Sequence, residues 1–386
     1  MLVLLQKNLP NRNLLINRYT RYQFAPSIIA EIKNLKTDNW HGILYIIKDY
    51  LIVSIFVALT YWLGWWFYPI CICFIGAHQR GLASILHDAA HGVLAKNKLI
   101  NFMLGTFPSG WLVFQSYYAY RKSHVYQHHP FLGHVDLDPD LKFFIKQEVF
   151  TPMSNKTYLW KIIIMPMLGG KIWVYIKYLA KNRYQILKQK TLNPDLIINK
   201  KIYSTRSWKH YFDRRGFTAF WLSIIITAVI YDFWQELILF WIIPYLTVFH
   251  IIGWFVELSE HCSCERKQSV NLYMARNRRS RHLEKWLTAI NGDQYHLDHH
   301  LNPATPFWLL HKAHQIRMRD SNYAAHCQQT GGLFQKGKNG APSIIKYMYQ
   351  RHSETHCTSK GKKHCHPEPL CEAKRVEGSP GTCCED

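Results

Sequence analysis

Eight of the chain's 22 histidines fall into three short clusters. They are His87-Asp-Ala-Ala-His91, His124-Val-Tyr-Gln-His128-His129 and His296-Leu-Asp-His299-His300. On a helix, residues three and four apart share a face. The spacing therefore predicts that His87 points with His91, His124 with His128, and His296 with His299 and His300. Adjacent histidines differ by about 100° around a helix, which lets one cluster reach two metals. An H-x-x-x-H pair arises by chance about once in such a chain, but each three-histidine cluster only roughly 0.1 times. Neutral imidazole suits zinc, iron, copper or nickel, so ligand type leaves the metal open. The number of ligands is more telling. Eight imidazoles exceed what one zinc takes, and two metals are the simplest way to use them.

The elements that must position these clusters are apolar. One apolar region runs from about Leu51 to Leu86, with Gly64, Trp65, Trp66 and Pro69 at its middle. A second runs from Phe217 to Val256 and is broken at Asp232 to Glu236. Each is long enough for two spans of roughly 20 residues, so the reading is four transmembrane helices in two hairpins. Neither hairpin tip carries Lys or Arg, whereas the N-terminal stretch, the region from His91 to Arg215 and the part after Glu257 are rich in both. By the positive-inside tendency these three regions, and all three clusters, face the cytoplasm. Leu99 to Phe114 and Tyr158 to Ala180 read as re-entrant or interfacial helices, and Pro26 to Leu35 as a short lead-in helix.

The last span adds Glu257 and His261, which share a face at its cytoplasmic end; His261 is expected to join the ligands. Arg80 shares a face with His87 in or near the membrane, where an unpaired charge is costly. It either snorkels or braces the site. His78 points away and is a poor ligand, and His250 is a candidate to line a substrate slot. Asp88, Asp138, Asp140 and Asp298 are placed to accept from the second nitrogen of a ligand imidazole, although Asp138 and Asp140 serve equally as a helix cap or turn.

Composition agrees with a membrane enzyme. Hydrophobic residues make up 48% and aromatics 15% of 386 residues, with mean hydropathy of −0.17, as expected of a chain divided between lipid and water. The net charge of +22 accompanies no nucleic-acid-binding motif and fits juxtamembrane Lys and Arg. Ten cysteines form no disulfide framework. Cys71 and Cys73 lie in an apolar run, Cys262 and Cys264 flank the proposed site, and five crowd the last thirty residues. The expected organisation is a cytoplasmic lead-in over 1–48, a membrane and cap domain over 49–349, and a disordered tail over 350–386.

At these residues the chain resembles the membrane fatty acid desaturase family. The likeness covers Leu86-His-Asp-Ala-Ala-His-Gly92, Tyr120-Arg-Lys-Ser-His124, Asp138-Pro-Asp140, and Tyr295-His-Leu-Asp-His-His-Leu301 with Pro303 and Pro306. It extends over roughly Gly76 to His314. The resemblance implies an all-α membrane protein of four spans under a helical cytoplasmic cap. It also implies two non-haem iron ions, O2 as co-substrate, a lipid or acyl substrate and two electrons from a separate ferredoxin or cytochrome b5. By position the ligands would be His87, His91, His124, His128, His129, His261, His296, His299 and His300. One departure is Glu257, where some acyl-CoA desaturases have Asn. Lipid or carotenoid hydroxylases and ketolases share the same clusters and are the alternative to desaturation. A membrane zinc protease would need Glu beside its first histidine, where Asp88 stands. A metal transporter would place its site near the bilayer midplane rather than at the interface.

Overall fold

The computed structural model describes residues 19–188, 208–262 and 270–359. Among them there is no strand, only an isolated bridge between Thr20 and Val270. The architecture is helical, as expected, and fits a multi-pass membrane protein. Three helices are long and apolar enough to cross a membrane: His41–Leu63, Trp65–His91 and Trp234–His261. The first is apolar all round, with Leu44, Ile47, Leu51, Ile55 and Trp62 exposed, the pattern of a helix solvated by lipid.

Candidate spans among the described residues number three to four, in keeping with the expected four, but one of them lies in a different place. The third expected span is a helix over Phe217–Ile230, only 14 residues. Its continuation upstream carries Asp213, Arg214 and Arg215, so the apolar stretch falls short of the roughly 20 residues a crossing needs. A fourth candidate comes from elsewhere. Asn155–Met167 and Ile172–Lys181 pass together on length and composition but meet at a 69° bend, as a broken span or re-entrant loop would. The first span begins at His41, so the boundary expected at residue 48 falls inside it. The lead-in helix is Pro26–Lys33, with proline in its first turn. At the other end, the helix Ile344–Ser359 runs past Gln350, where the tail was expected to begin. Residues 360–386, with most of the tail cysteines, lie outside the described residues, as does Cys264.

The two turns meet at one end of the molecule. Tyr61 donates to Glu236 Oε1 at 3.1 Å, Tyr68 to the Leu239 carbonyl at 2.8 Å, and Trp65 stacks on Phe240. From there Tyr68–His91 and Trp234–His261 run side by side to the histidines at their far ends. The second span stops at its box because Gly92 takes a left-handed conformation (φ 81°), with the Gly92 and Val93 amides closing onto Ala89 and Asp88. The last span is kept helical through Pro244 by two π-helical turns, Ile238–Ile242 and Tyr245–Phe249.

The remaining helices form a cap over this end. One apolar core joins Phe144, Tyr158 and Ile162 of the central region to Trp254 and Leu258 of the last span and Leu333, Ile344 and Met348 near the C-terminus. Another joins Ile46, Ile85 and Leu86 to Phe102, Tyr117, Phe307 and Trp308. Each fully buried side chain of this kind contributes about 1.5–3 kcal/mol, and together they lock the histidine-bearing segments onto the spans.

Candidate metal centre

Four segments deliver nine imidazoles to one place. The end of the second span brings His87 and His91, the turn after Tyr117–Ser123 brings His124, His128 and His129, the last span ends in His261, and the short helix His296–Leu301 brings the third box. All nine expected ligands meet there, and they sort into two nests. His87, His91, His124, His129 and His299 form one; His128, His261, His296 and His300 form the other, with all candidate ligand atoms of each nest within 4.8 Å of one another. Within the first, His129 Nε2 lies 3.1 Å from His124 Nε2 and 3.0 Å from His299 Nε2. Within the second, His296 Nε2 lies 2.8 Å from His261 Nε2 and 3.0 Å from His300 Nε2. His129 stacks on His300 at 4.3 Å, so the nests share a wall.

The pairing follows the expectation of shared helix faces only in part. His124 and His128 do lie together, their rings stacked at 5.2 Å and grouped with Asp140, but His124 also meets His129 in one nest while His128 joins the other. The cause is a π-helical turn over His124–His128, in which the His129 amide donates to the His124 carbonyl at 3.0 Å. A π turn brings residue i+5 back over residue i. In the third box the ordinary helix rule holds for His296 and His300, while His299 turns to the other nest. One box does reach both nests, as the 100° step between neighbours predicts.

Around the nests stands a layer of acceptors that fixes each ring. His87 Nδ1 meets Asp88 at 3.1 Å, and the other Asp88 oxygen accepts from the Phe307 amide at 2.7 Å. His128 Nδ1 meets Asp138 at 2.9 Å and Asp140 at 3.2 Å. Asp138 also caps the helix Pro139–Lys146 through the Asp140 and Leu141 amides, so it is both cap and ring partner. Asp298 is the exception. It touches no ligand ring and instead takes Arg317 at 2.5 Å, Tyr323 at 2.6 Å and Asn277 at 2.7 Å.

Three contacts escaped the sequence reading. The Met274 carbonyl lies 3.1 Å from His261 Nδ1, and a backbone atom leaves no trace in residue types. Glu260 reaches His296 Nδ1 at 3.5 Å while Arg278 holds its other oxygen at 2.5 Å; a carboxylate beside His261 was the available signal. Asn277 accepts from the Leu297 amide at 2.9 Å and so anchors the third box. His78, set aside as a ligand, is buried against Asp49 at 2.8 Å.

The protonation of the site suits metal ligation. Burial, followed by neighbouring imidazoles, holds His124, His129, His296, His299 and His300 well below the usual histidine range. They are neutral, with lone pairs available. Burial also acts on His128, but Asp140 and Asp138 outweigh it and lift that ring to about 9. His91 Nε2 is buried with no hydrogen-bond partner among the described residues, as a ligand atom would be.

The family model of fatty acid desaturases matches residues 63–330, more than half of the chain. The protein belongs to the fatty acid desaturase family. Among curated relatives it is similar to the dihydrorhizobitoxine desaturase of Bradyrhizobium elkanii, 41% identical over 348 residues, covering 90% of this chain and 95% of the relative. As a desaturase-family oxidoreductase, it has every histidine cluster inside the matched region.

Proposed function

We propose that the nine histidines hold two iron ions and that the protein desaturates a saturated carbon–carbon bond. The reaction takes two hydrogens from the substrate, with two electrons and two protons from outside, and reduces O2 to two waters. The observation that carries this reading is the sorting of nine imidazoles into nests of five and four. Converging Nε2 atoms at 2.8–3.4 Å, five rings held neutral and the buried His91 nitrogen support a pair of bound metals. Iron bound there would supply the oxidant, derived from O2, that an unactivated C–H bond requires.

The chain's own residues do the rest. Asp88, Asp138, Glu260 and the Met274 carbonyl hold the proton on the outer ring nitrogen and leave the inner one for the metal. Burial of the nests, with His128 at 1% and His299 at 2% exposure, keeps bulk water from the oxidant. The electron donor is a separate ferredoxin or cytochrome b5, and the +22 charge of the chain favours an acidic one. The site faces the cytoplasm and the two adjoining hairpin turns face the other side; the Lys/Arg-rich segments around the histidines support this orientation.

Desaturation is favoured over hydroxylation or ketolation because the relative, matched over nearly its whole length, is a desaturase. The family resemblance points to an acyl chain as substrate, while the relative acts on dihydrorhizobitoxine. Expression in a host of simple composition, with mass spectrometry of lipids and water-soluble metabolites with and without O2, tests the reading. An O2-dependent product lacking two hydrogens is expected, absent with His299→Ala. A product carrying an added oxygen would refute desaturation.

A further inference from the structure

A polar pair, Arg80 and Glu257, lies one to two turns below the histidines that end the second and last spans. Arg80 stands seven residues before His87 and Glu257 four before His261. Each is therefore on the metal-bearing side of its helix, one to two turns toward the hairpin end. Arg80 Nη1 donates to Glu257 Oε1 at 3.0 Å. Room for the guanidinium is made at Gly253, where a Cβ would stand 3.0 Å from Arg80 Nη1 and 3.7 Å from Glu257 Oε1.

Tyr120 and Tyr175 are in electrostatic reach of both charges and of Asp140. Tyr175 stacks on His250 at 4.8 Å, and the Tyr175 hydroxyl and His250 Nε2 are buried without a partner among the described residues. The Glu257 and Asp140 side chains are 41% and 48% exposed, so both border open space. Asp140 contacts His128 and the Tyr120 ring neighbours His87, which puts that space against both nests.

A slot for bare hydrocarbon is ill served by such a lining. An ionised group pressed against hydrocarbon and stripped of water costs several kcal/mol, and buried polar atoms without partners call for a polar occupant. We propose that Arg80 and Glu257 form the floor of the substrate slot and select a polar substrate. It presents a hydroxyl or protonated amine to Glu257 and an oxygen acceptor to Arg80, in place of an unbroken acyl chain. This inference rests on the desaturase reading of the site and narrows its substrate.

The test uses the full-length, iron-loaded protein with reduced ferredoxin and O2. One arm supplies the water-soluble small-molecule extract of the host cells, the other vesicles of saturated phosphatidylcholine. A product lacking two hydrogens is expected in the water-soluble arm. Glu257→Gln should lower its yield about 10- to 100-fold, the loss of one charged hydrogen bond. The double variant Arg80→Met, Glu257→Leu should abolish it at unchanged iron content, since removing both charges leaves neither unpaired. Product from the vesicles alone would overturn the proposal and leave the desaturase reading standing. Undiminished water-soluble product from the double variant would also overturn it, showing that the ion pair only pins two helices. No product in either arm would overturn the desaturase reading itself.

Discussion

Replacing Asp138 with Asn separates two roles that one carboxylate plays. Asp138 is 2% exposed; it accepts from His128 at 2.9 Å and from the Gly133, Asp140 and Leu141 amides at 2.9, 3.0 and 3.3 Å. Asn caps a helix about as well as Asp, so the fold should change by less than about 1 kcal/mol. One of the two charges opposite His128 is lost, however, and Asp140 at 3.2 Å becomes its sole carboxylate contact among the described residues. Burial raises the Asp138 carboxyl, but His128 and the Gly133 amide more than reverse this and hold it below its ordinary range, so it is ionised at neutral pH. Removing such a ring partner costs about 10- to 100-fold in metal affinity, or about 1.4–2.7 kcal/mol at 1.36 kcal/mol per tenfold. The loss should fall on the nest of His128, His261, His296 and His300 and spare the other. Chelator competition, followed by iron analysis, should therefore show one of two ions leaving early. Asp138→Ala should add the cap loss of about 1 kcal/mol, seen as a lower melting temperature. Retention of both ions by Asp138→Asn at wild-type affinity would refute the assignment of His128 as a ligand steadied by this carboxylate.

Other expectations follow from the same geometry. His299→Ala and His300→Ala open different nests, so at limiting metal each should lose one ion while product disappears in both; identical loss of both ions from either variant would count against two separate nests. The His128 ring, raised to about 9 from an ordinary 6.5, contributes stability to the metal-free protein that is complete below pH 6.5 and lost as pH rises through 9. Metal needs that ring deprotonated at Nε2, so the gain in melting temperature on metal binding should widen from pH 6.5 to 9; a flat difference would contradict it. Asn277→Ala leaves the Leu297 amide without its acceptor, costing about 1–3 kcal/mol, while the Asp298 oxygen keeps the Tyr323 hydroxyl. It should lower the melting temperature and loosen metal held by the third box, whereas Asn277→Asp should restore the backbone contact only.

How much was legible depended on whether the information is local. The three boxes, the apolar hairpins and the turn aromatics are patterns within a few residues, and the structure brings all nine expected histidines together. Helix periodicity also placed Arg80 and Glu257 on the metal-bearing sides of their helices, though not the bond between them. The sorting of ligands was not legible, because a π-helical turn at His124–His128 departs from the period that the spacing argument assumes. The third expected span is shorter than its apolar run suggested because Asp213, drawn in by Trp111, Ser116 and the Tyr117 and Tyr118 amides, ties the upstream end of that helix to the cap. The sequence alone thus determined that many imidazoles and a membrane belong to this protein, since residue type and period are written along the chain. Only the tertiary structure decided which imidazole joins which nest, which acceptor steadies each ring and what lies beneath them. Those are contacts between residues tens to hundreds of positions apart, made by packing.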